Sequence, residues 1–217
     1  MLEQEVTSLK RKLIEYAALV EKMIDKSIKG LLNKDKNLFF EVRDKDEPRA
    51  NDFEIELEDL CTVIIAKYQP AAKDLRTIMR VSQMNNDLER LADLAVNIVE
   101  SGLILVEKPP LKPLIDIPHM ARIASKMVKD SIDSFTNEDP ILAKDVCKRD
   151  QTIDDLKDQV MRELITYMMS DVSSIERAFQ LIRIANSLER IGDLATNICE
   201  DVIYIVEGKT IKHGKAE

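Results

Sequence analysis

The chain has 217 residues, a formal net charge of −8 and an aromatic content of 4%, without tryptophan. This acidic balance, with no dense run of lysine and arginine, argues against nucleic acid as the main ligand, because phosphate backbones require clustered positive charge. Only 5 glycines and an abundance of Leu, Ile, Ala, Met, Glu, Asp and Lys favour an all-α protein.

The N-terminal residues MLEQEVTSLKRKLIEY contain acids and no uninterrupted apolar run, so we expect neither a signal peptide nor a membrane-spanning segment there. The protein is therefore expected to be cytoplasmic and to reach a membrane only through its partners. Three cysteines, Cys61, Cys147 and Cys199, lie far apart without CxxC spacing, which indicates reduced core thiols rather than a disulfide framework or a zinc site.

Three helices are predicted in the first half. Apolar residues recur at three- and four-residue steps over about residues 4–30, and again over about 38–68. Pro48 lies inside the second pattern and is expected to kink or restart that helix, because proline lacks an N–H group. A third, long helix is predicted from about residue 70 to 107.

The second half is expected to repeat this plan. A helix is predicted over 120–135, a second opens at Asp139 and Pro140, and a third follows a cap within 171–174 and ends near Gly208. The last nine residues, KTIKHGKAE, are expected to fray.

Four prolines separate the two halves, in the stretch EKPPLKPLIDIPHM. Proline-rich chain is stiff and cannot be helical throughout, so it marks a boundary. We predict an all-α fold of two tandem three-helix bundles related by an internal repeat, with the first bundle over 1–108, the connection over 109–118 and the second bundle over 119–217.

One stretch of the predicted third helix occurs twice, 100 residues apart. NDLERLADLAVNIVE at 86–100 and NSLERIGDLATNICE at 186–200 are identical at 10 of 15 positions. A repeat of this kind indicates two copies of one structural unit. On a helix, the acids and asparagines of each copy share one stripe, and the apolar residues lie on the opposite side. The acids therefore lie outward and do not form a buried catalytic pair.

Acid and amide side chains spaced i, i+4 occur on two predicted helices of each half. The candidate metal ligands are Glu47, Asn51, Glu89 and Asp93 in the first half, and Asp150, Asp154, Glu189 and Asp193 in the second. Carboxylates one turn apart repel each other unless a cation lies between them. If the two helices are adjacent, their stripes form an open, oxygen-rich site suited to magnesium, calcium, manganese or iron, and less to zinc.

The alternative for any single pair is that its acids only keep an exposed helix face soluble. An ordinary solvated face needs no particular Glu, Asp and Asn, so the repetition of the stripe favours a functional role. Arg90 and Arg190, beside the acids, either pair with neighbouring carboxylates or clamp a phosphate. No Gly-rich phosphate loop, Ser-His-Asp set or Cys-His pair is present, so we do not expect an enzyme.

Four segments in order, QPAAKDLR at 69–76, NDLERLADLAVNI at 86–98, EKPPLKPLIDIP at the junction and NSLERIGDLATNI at 186–198, resemble the PhoU family of phosphate-signalling regulators. The resemblance covers essentially the whole chain. It implies two three-helix bundles and surface metal sites, of iron or zinc, on E/DxxxD motifs at the candidate ligands named above; magnesium and manganese are the alternatives from ligand type. Pro48 after Glu47, and Ala92 in place of glycine, depart from the family pattern in the first half.

The resemblance also implies a function. Members of this family act as negative regulators that link the ATPase subunit of a phosphate ABC transporter to a membrane sensor histidine kinase, keeping phosphate-starvation genes off when phosphate is ample. We further expect a homodimer. Two other functions stay open at this point, a metal-dependent enzyme built on the paired carboxylates and a purely structural helical accessory to another phosphate permease.

Overall fold

The computed structural model describes residues 1–208, and within them every regular element is helical. The predicted fraying of KTIKHGKAE lies outside the described residues. The α-helices in chain order are α1 Leu2–Asn33, α2 Lys36–Glu41, α3 Glu47–Tyr68, α4 Ala72–Val106, α5 Asp116–Asn137, α6 Pro140–Ser170 and α7 Ile175–Glu207.

The helices form two bundles of the same plan. In the first, α1 packs against α3 and α4, and α3 packs against α4; in the second, α5, α6 and α7 contact one another in the same way. Each bundle buries the apolar stripe that its sequence predicts, for example Leu13 and Leu57 in the first and Val160 and Leu188 in the second. The prediction of an all-α protein with two repeated three-helix bundles is therefore confirmed.

The helix that contains Pro48 is interrupted where the sequence predicts it. A five-residue π-helical turn, Val42–Asp46, joins α2 to α3, and Pro48 lies in the first turn of α3. The missing N–H of Pro48 needs no partner there, because first-turn N–H groups have none within the helix. The π-turn turns Asp46 inward, and Lys26 Nζ donates to its Oδ2 over 2.7 Å.

The connection between the bundles covers residues 107–115. The helix that follows, α5, begins at Asp116 rather than near residue 120, so Pro118 belongs to its first turn. The sequence pattern missed this turn because proline was counted as a boundary, although a first-turn position tolerates it.

Helices α4 and α7 pack against each other and join the two bundles. They are antiparallel, since Arg80 bonds Asp201 near one end and Glu100 bonds Arg183 near the other. The guanidinium of Arg80 donates to Asp201 Oδ1 over 2.8 Å and lies 4.2 Å from the ring centre of Tyr204. No described helix is long and apolar enough to span a bilayer.

Candidate metal-binding clusters and the groove between them

The repeated stretch lies on α4 and on α7, with its polar stripe outward as predicted. Glu89 and Glu189 are half-buried, and Asp93 and Asp193 are exposed. Each stripe has two neighbours, because α3 flanks α4 and α6 flanks α7 on one side, while α4 and α7 face each other on the other side. The glutamates face the flanking helix, and Arg90 and Arg190 face the opposite repeat helix.

The second half brings its four predicted carboxylates together. We call Asp150, Asp154, Glu189 and Asp193 the second acidic cluster. Burial raises the pKa of Asp150 to about 6, with the negative charges of the other three members adding to the rise. The pKa of Asp193 is likewise raised, first by burial and then by Glu189 and Asp154. The four carboxylates are therefore close enough to interact electrostatically.

Lys157, one turn beyond Asp154 on α6, belongs to the same surface. Its Nζ donates to Glu189 Oε1 over 2.8 Å, and this hydrogen bond is the main reason that the pKa of Lys157 is raised. Its charge also opposes the rise in the pKa of Asp193. The lysine therefore partly neutralises the second acidic cluster.

The first half builds its cluster from a different member of α3. The carboxylates next to Glu89 are Asp93 and Glu54, and they raise its pKa after the larger effect of burial. We call Glu54, Glu89 and Asp93 the first acidic cluster. The amide of Asn85 holds α3 in place here, donating to the backbone carbonyl of Glu54 over 2.9 Å.

Glu47 and Asn51, the α3 residues predicted for the first site, lie at the N-terminal end of that helix. Glu47 is half-buried, and its negative charge adds to the rise in the pKa of Arg43, one turn earlier, which is caused mainly by Asp44. Asn51 is exposed. Glu54 was missed by the sequence reasoning. A signal for it existed, since Glu54 lies seven residues, about two helical turns, after Glu47 and therefore on the same face.

A buried tyrosine lies behind the first acidic cluster. The ring of Tyr16 is fully buried and stacks on Phe53, with 5.4 Å between ring centres. The pKa of its phenol is raised far above the usual value by burial, and then by Glu54, Glu89 and Asp93. The hydroxyl therefore remains protonated and is available as a hydrogen-bond donor.

Beneath each cluster, two facing residues have complementary sizes. In the second half, a Cβ added at Gly192 would lie 3.1 Å from Ile153 Cδ1 and 3.4 Å from Asp150 Oδ1. The equivalent positions in the first half hold Ala92 and Ala50. The smaller residue on α3 leaves room for the larger one on α4, which explains why the first half does without the glycine.

The carboxylates of each cluster are near one another without converging on a point. Across residues 1–208, no group of three or more His, Cys, Asp and Glu side chains is arranged closely enough to hold a metal ion. The donor set itself fits a hard cation, because it consists of carboxylates that raise one another's pKa, and a bound cation would remove that repulsion.

A groove of about 670 Å³ separates the two clusters. We call it the central groove. Its lining comes only from α4 and α7, and consists of Arg90, Asp93, Leu94, Asn97, Arg183, Asn186, Ser187, Arg190, Asp193, Leu194 and Asn197.

The fold and these sites define a protein made of two repeated three-helix bundles, each with an acidic E/DxxxD surface motif. A family model described as the PhoU domain matches residues 13–102 and 117–202, and the chain belongs to the PhoU family. Both matches contain one copy of the repeat, which agrees with the two bundles of the structure.

Curated relatives match over nearly the whole chain. A protein of Aquifex aeolicus named phosphate-specific transport system accessory protein PhoU homolog is 42% identical over 98% of this chain and 96% of its own length. The phosphate-specific transport system accessory protein PhoU of Escherichia coli is 31% identical over 96% of this chain and 86% of its own length.

Two solved structures have the same fold. PhoU from Pseudomonas aeruginosa superposes with a TM-score of 0.93 at 35% identity, covering 96% of this chain and all of the other. The phosphate transport system regulatory protein PhoU from Streptococcus pneumoniae gives a TM-score of 0.89 at 24% identity, covering 98% of this chain and 100% of that one.

Proposed function

We propose that this protein is an accessory regulator of phosphate uptake and acts without catalysing a reaction. The observation that carries the proposal is the near full-length match to proteins named as accessory proteins of phosphate-specific transport systems. The proposed role is that of a cytoplasmic homodimer that links the ATPase subunit of a phosphate ABC transporter to a membrane sensor histidine kinase. Through this link it represses phosphate-starvation genes when phosphate is ample.

A genetic experiment tests the regulatory role. The gene is deleted in its host, and a phosphate-starvation promoter is followed with a reporter in high and low phosphate. We expect expression in high phosphate without the gene and repression when the gene is restored. Full repression in the deletion strain would contradict the role. Co-purification from the complemented strain then asks whether the transporter ATPase and the kinase are bound, and sedimentation equilibrium measures the oligomeric state.

The two acidic clusters support a second part of the proposal, that the protein carries hard metal ions on its surface. In the second half the proposed ligands are the four residues Asp150, Asp154, Glu189 and Asp193, whose carboxylates are close enough to interact electrostatically. In the first half they are Glu89 and Asp93, with Glu47 and Asn51 from the predicted set and Glu54 from the structure. A bound cation would supply positive charge and fix α6 to α7, and α3 to α4.

Binding requires two movements of the second cluster. The carboxylates must rotate toward a common centre, because they do not converge as they stand. Glu189 must also give up its hydrogen bond with Lys157 in order to bind the cation. Carboxylate ligands and the absence of a histidine from the cluster favour magnesium, manganese or iron, while the family resemblance adds zinc.

Elemental analysis of protein purified without chelators or metal-affinity resin tests metal binding directly. We compare the Glu189→Gln/Asp193→Asn variant with Asp155→Asn, which removes an exposed carboxylate from another face of α6. The double variant should lose the metal of the second half, and the control should keep it. Equal metal content in all three proteins would contradict the site while leaving the regulatory role intact. Oxidase and phosphatase assays of the same samples test the enzyme alternative.

A further inference from the structure

The central groove lies on the axis that relates the two halves of the chain. Because α4 and α7 are antiparallel copies of one sequence, the same side chains line both walls. Both copies of four repeat positions take part, namely Arg90 and Arg190, Asp93 and Asp193, Leu94 and Leu194, and Asn97 and Asn197. Leu94 and Leu194 are the apolar part of the lining, and the other lining side chains, which we call the rim, carry hydrogen-bond donors or acceptors.

Two arginines of the rim have unused donors. Arg90 and Arg190 are exposed, and in the described part of the chain neither side chain forms a hydrogen bond or a close ion pair. Each interacts with nearby acids only through longer-range electrostatic attraction, for example Arg90 with Asp87 and Arg190 with Asp193. A planar guanidinium offers a fork of N–H donors that fits a tetrahedral oxyanion.

Further donors lie between the arginines. Arg183 also lines the groove. One of its terminal nitrogens donates to Gln180 Oε1 over 3.4 Å and the other to Glu100 Oε2 over 3.5 Å, two long contacts that leave its remaining N–H groups available. Asn97 and Asn186 add side-chain amides. The groove therefore presents three guanidinium groups on a protein whose formal net charge is −8.

Two acceptors complete the lining. Asp93 and Asp193 line the groove, and each also belongs to the acidic cluster of its own half. Carboxylates repel a sulfate or a phosphomonoester dianion, neither of which has a proton to donate near neutral pH. Hydrogen phosphate is different, because its remaining P–OH group donates a hydrogen bond to a carboxylate while its other oxygens accept from arginine and asparagine.

We propose that the central groove is a binding site for free inorganic phosphate. Arg90 and Arg190 hold the phosphate oxygens from the two walls, Arg183 and the asparagines add donors, and Asp93 or Asp193 accepts a hydrogen bond from the P–OH group. The groove, at about 670 Å³, is wide enough to admit the ion with part of its hydration shell.

Calorimetric titration of the full chain with potassium phosphate tests this site. EDTA is present throughout, so that phosphate cannot bind through metal ions on the acidic clusters. The Arg90→Gln/Arg190→Gln variant is compared with Arg49→Gln/Arg162→Gln, which removes two exposed arginines elsewhere. We expect phosphate binding to weaken about tenfold or more in the first variant and less than about twofold in the control. Helical circular dichroism and melting temperature show that each variant is folded.

Three outcomes would overturn the proposal. They are the absence of phosphate binding by the unaltered protein, binding unchanged by Arg90→Gln/Arg190→Gln, and an equal loss in the control. Because the titration contains no transporter, kinase or metal, its failure does not affect the regulatory proposal.

Competing anions test the role of the P–OH group. Phosphate should bind at least about tenfold more tightly than sulfate or methyl phosphate, whose dianions have no O–H group. Asp93→Asn/Asp193→Asn should reduce this preference, because asparagine can donate a hydrogen bond to the anions that lack a proton. Equal binding of the three anions by the unaltered protein would overturn recognition of free phosphate at this groove.

Discussion

Lys157 Nζ donates to Glu189 Oε1 over 2.8 Å, and the position equivalent to Lys157 in the first half is occupied by Glu54, which raises the pKa of Glu89 instead. One acidic cluster therefore has four carboxylates with a lysine among them, and the other has three carboxylates and a buried tyrosine behind them. Their formal charges are equal at −3, since the lysine offsets one carboxylate. The difference lies in how freely Glu189 and Glu89 can reach a cation.

Replacement of Lys157 by glutamine should strengthen cation binding at the second acidic cluster. It releases Glu189 and removes a positive charge beside Asp193. We expect the dissociation constant for manganese, measured by calorimetry, to fall about three- to tenfold, which corresponds to about 0.7–1.4 kcal/mol. The control is Lys148→Gln, which removes an exposed lysine from the same helix away from the bond to Glu189. Unchanged or weaker binding in Lys157→Gln would contradict the role given to this lysine.

Asp87 is expected to make the stability of the protein depend on pH. Burial raises its pKa to about 6, although Arg90 and a hydrogen bond from Asn197 lower it. In the unfolded chain the pKa is about 3.9, so between these values the folded state binds more protons and its stability falls as pH rises. The cost to folding is complete above about pH 7 and largely absent below about pH 4.

The isosteric change Asp87→Asn removes this cost. In urea unfolding with EDTA, we expect the variant to gain about 1–2 kcal/mol near pH 7.5, with about a third of that gain left near pH 4.5. Asp52→Asn, at an exposed position of α3, should change stability by less than about 0.5 kcal/mol at either pH. A gain for Asp87→Asn that did not shrink on acidification would point to a cause other than ionisation.

The sequence predicted those parts of the structure that repeat within it. The outward stripe of Glu89 and Asp93 follows from helical periodicity alone, and its copy 100 residues later identified the second half. Asp150 and Asp154 were found in the same way, by their spacing. The interruption before Pro48 was predictable too, because proline is tolerated in the first turn of a helix but not in its interior.

The parts that escaped prediction depend on how helices pack. Glu54 and Lys157 reach the clusters because α3 and α6 pack against the repeat helices in a particular register. These two residues occupy equivalent positions but have opposite charges, so a search for residues repeated in both halves could not find them. Arg90 and Arg190 were visible as neighbours of acids in sequence. Only the antiparallel contact of α4 with α7 places both of them on one groove.

Cys147 should be the most reactive of the three cysteines. A hydrogen bond from the Cys199 thiol lowers the pKa of Cys147, while the pKa of Cys199 is raised, chiefly because it is the donor in that bond. Burial raises the pKa of Cys61 to about 11. Thiolate is the reactive form, so iodoacetamide near neutral pH should alkylate half-buried Cys147 first.

Peptide mass mapping during the reaction measures these rates. We expect Cys147 to react at least about tenfold faster than Cys61, and Cys147→Ser to abolish the fast phase. In urea the three cysteines should react at similar rates, because the packing that separates them is lost. Fast alkylation of Cys61 in the folded protein would contradict the assignment.

Gly192 and Ile153 should be energetically coupled, because a Cβ at residue 192 would lie 3.1 Å from Ile153 Cδ1. Gly192→Ala gains about 1 kcal/mol of helix propensity, but displacing the fully buried Ile153 costs more, so we expect a net loss of about 1 kcal/mol in the free energy of unfolding. Ile153→Ala alone leaves a cavity and should cost about 2–4 kcal/mol. In the double variant the alanine at 153 makes room for the alanine at 192, as Ala50 does for Ala92 in the first half.

The double variant should therefore be more stable than the sum of the two single losses predicts, by about 1 kcal/mol or more in urea unfolding. In the matched change of the first half, Ala92→Gly, the buried methyl is lost together with about 1 kcal/mol of helix propensity, so this variant should be destabilised. Strict additivity of the single losses would show that Ile153 moves aside without cost.

The same proteins report on the second acidic cluster, since the added Cβ would also lie 3.4 Å from Asp150 Oδ1. If Asp150 is a ligand, Gly192→Ala should weaken manganese binding even where the helix remains fully folded.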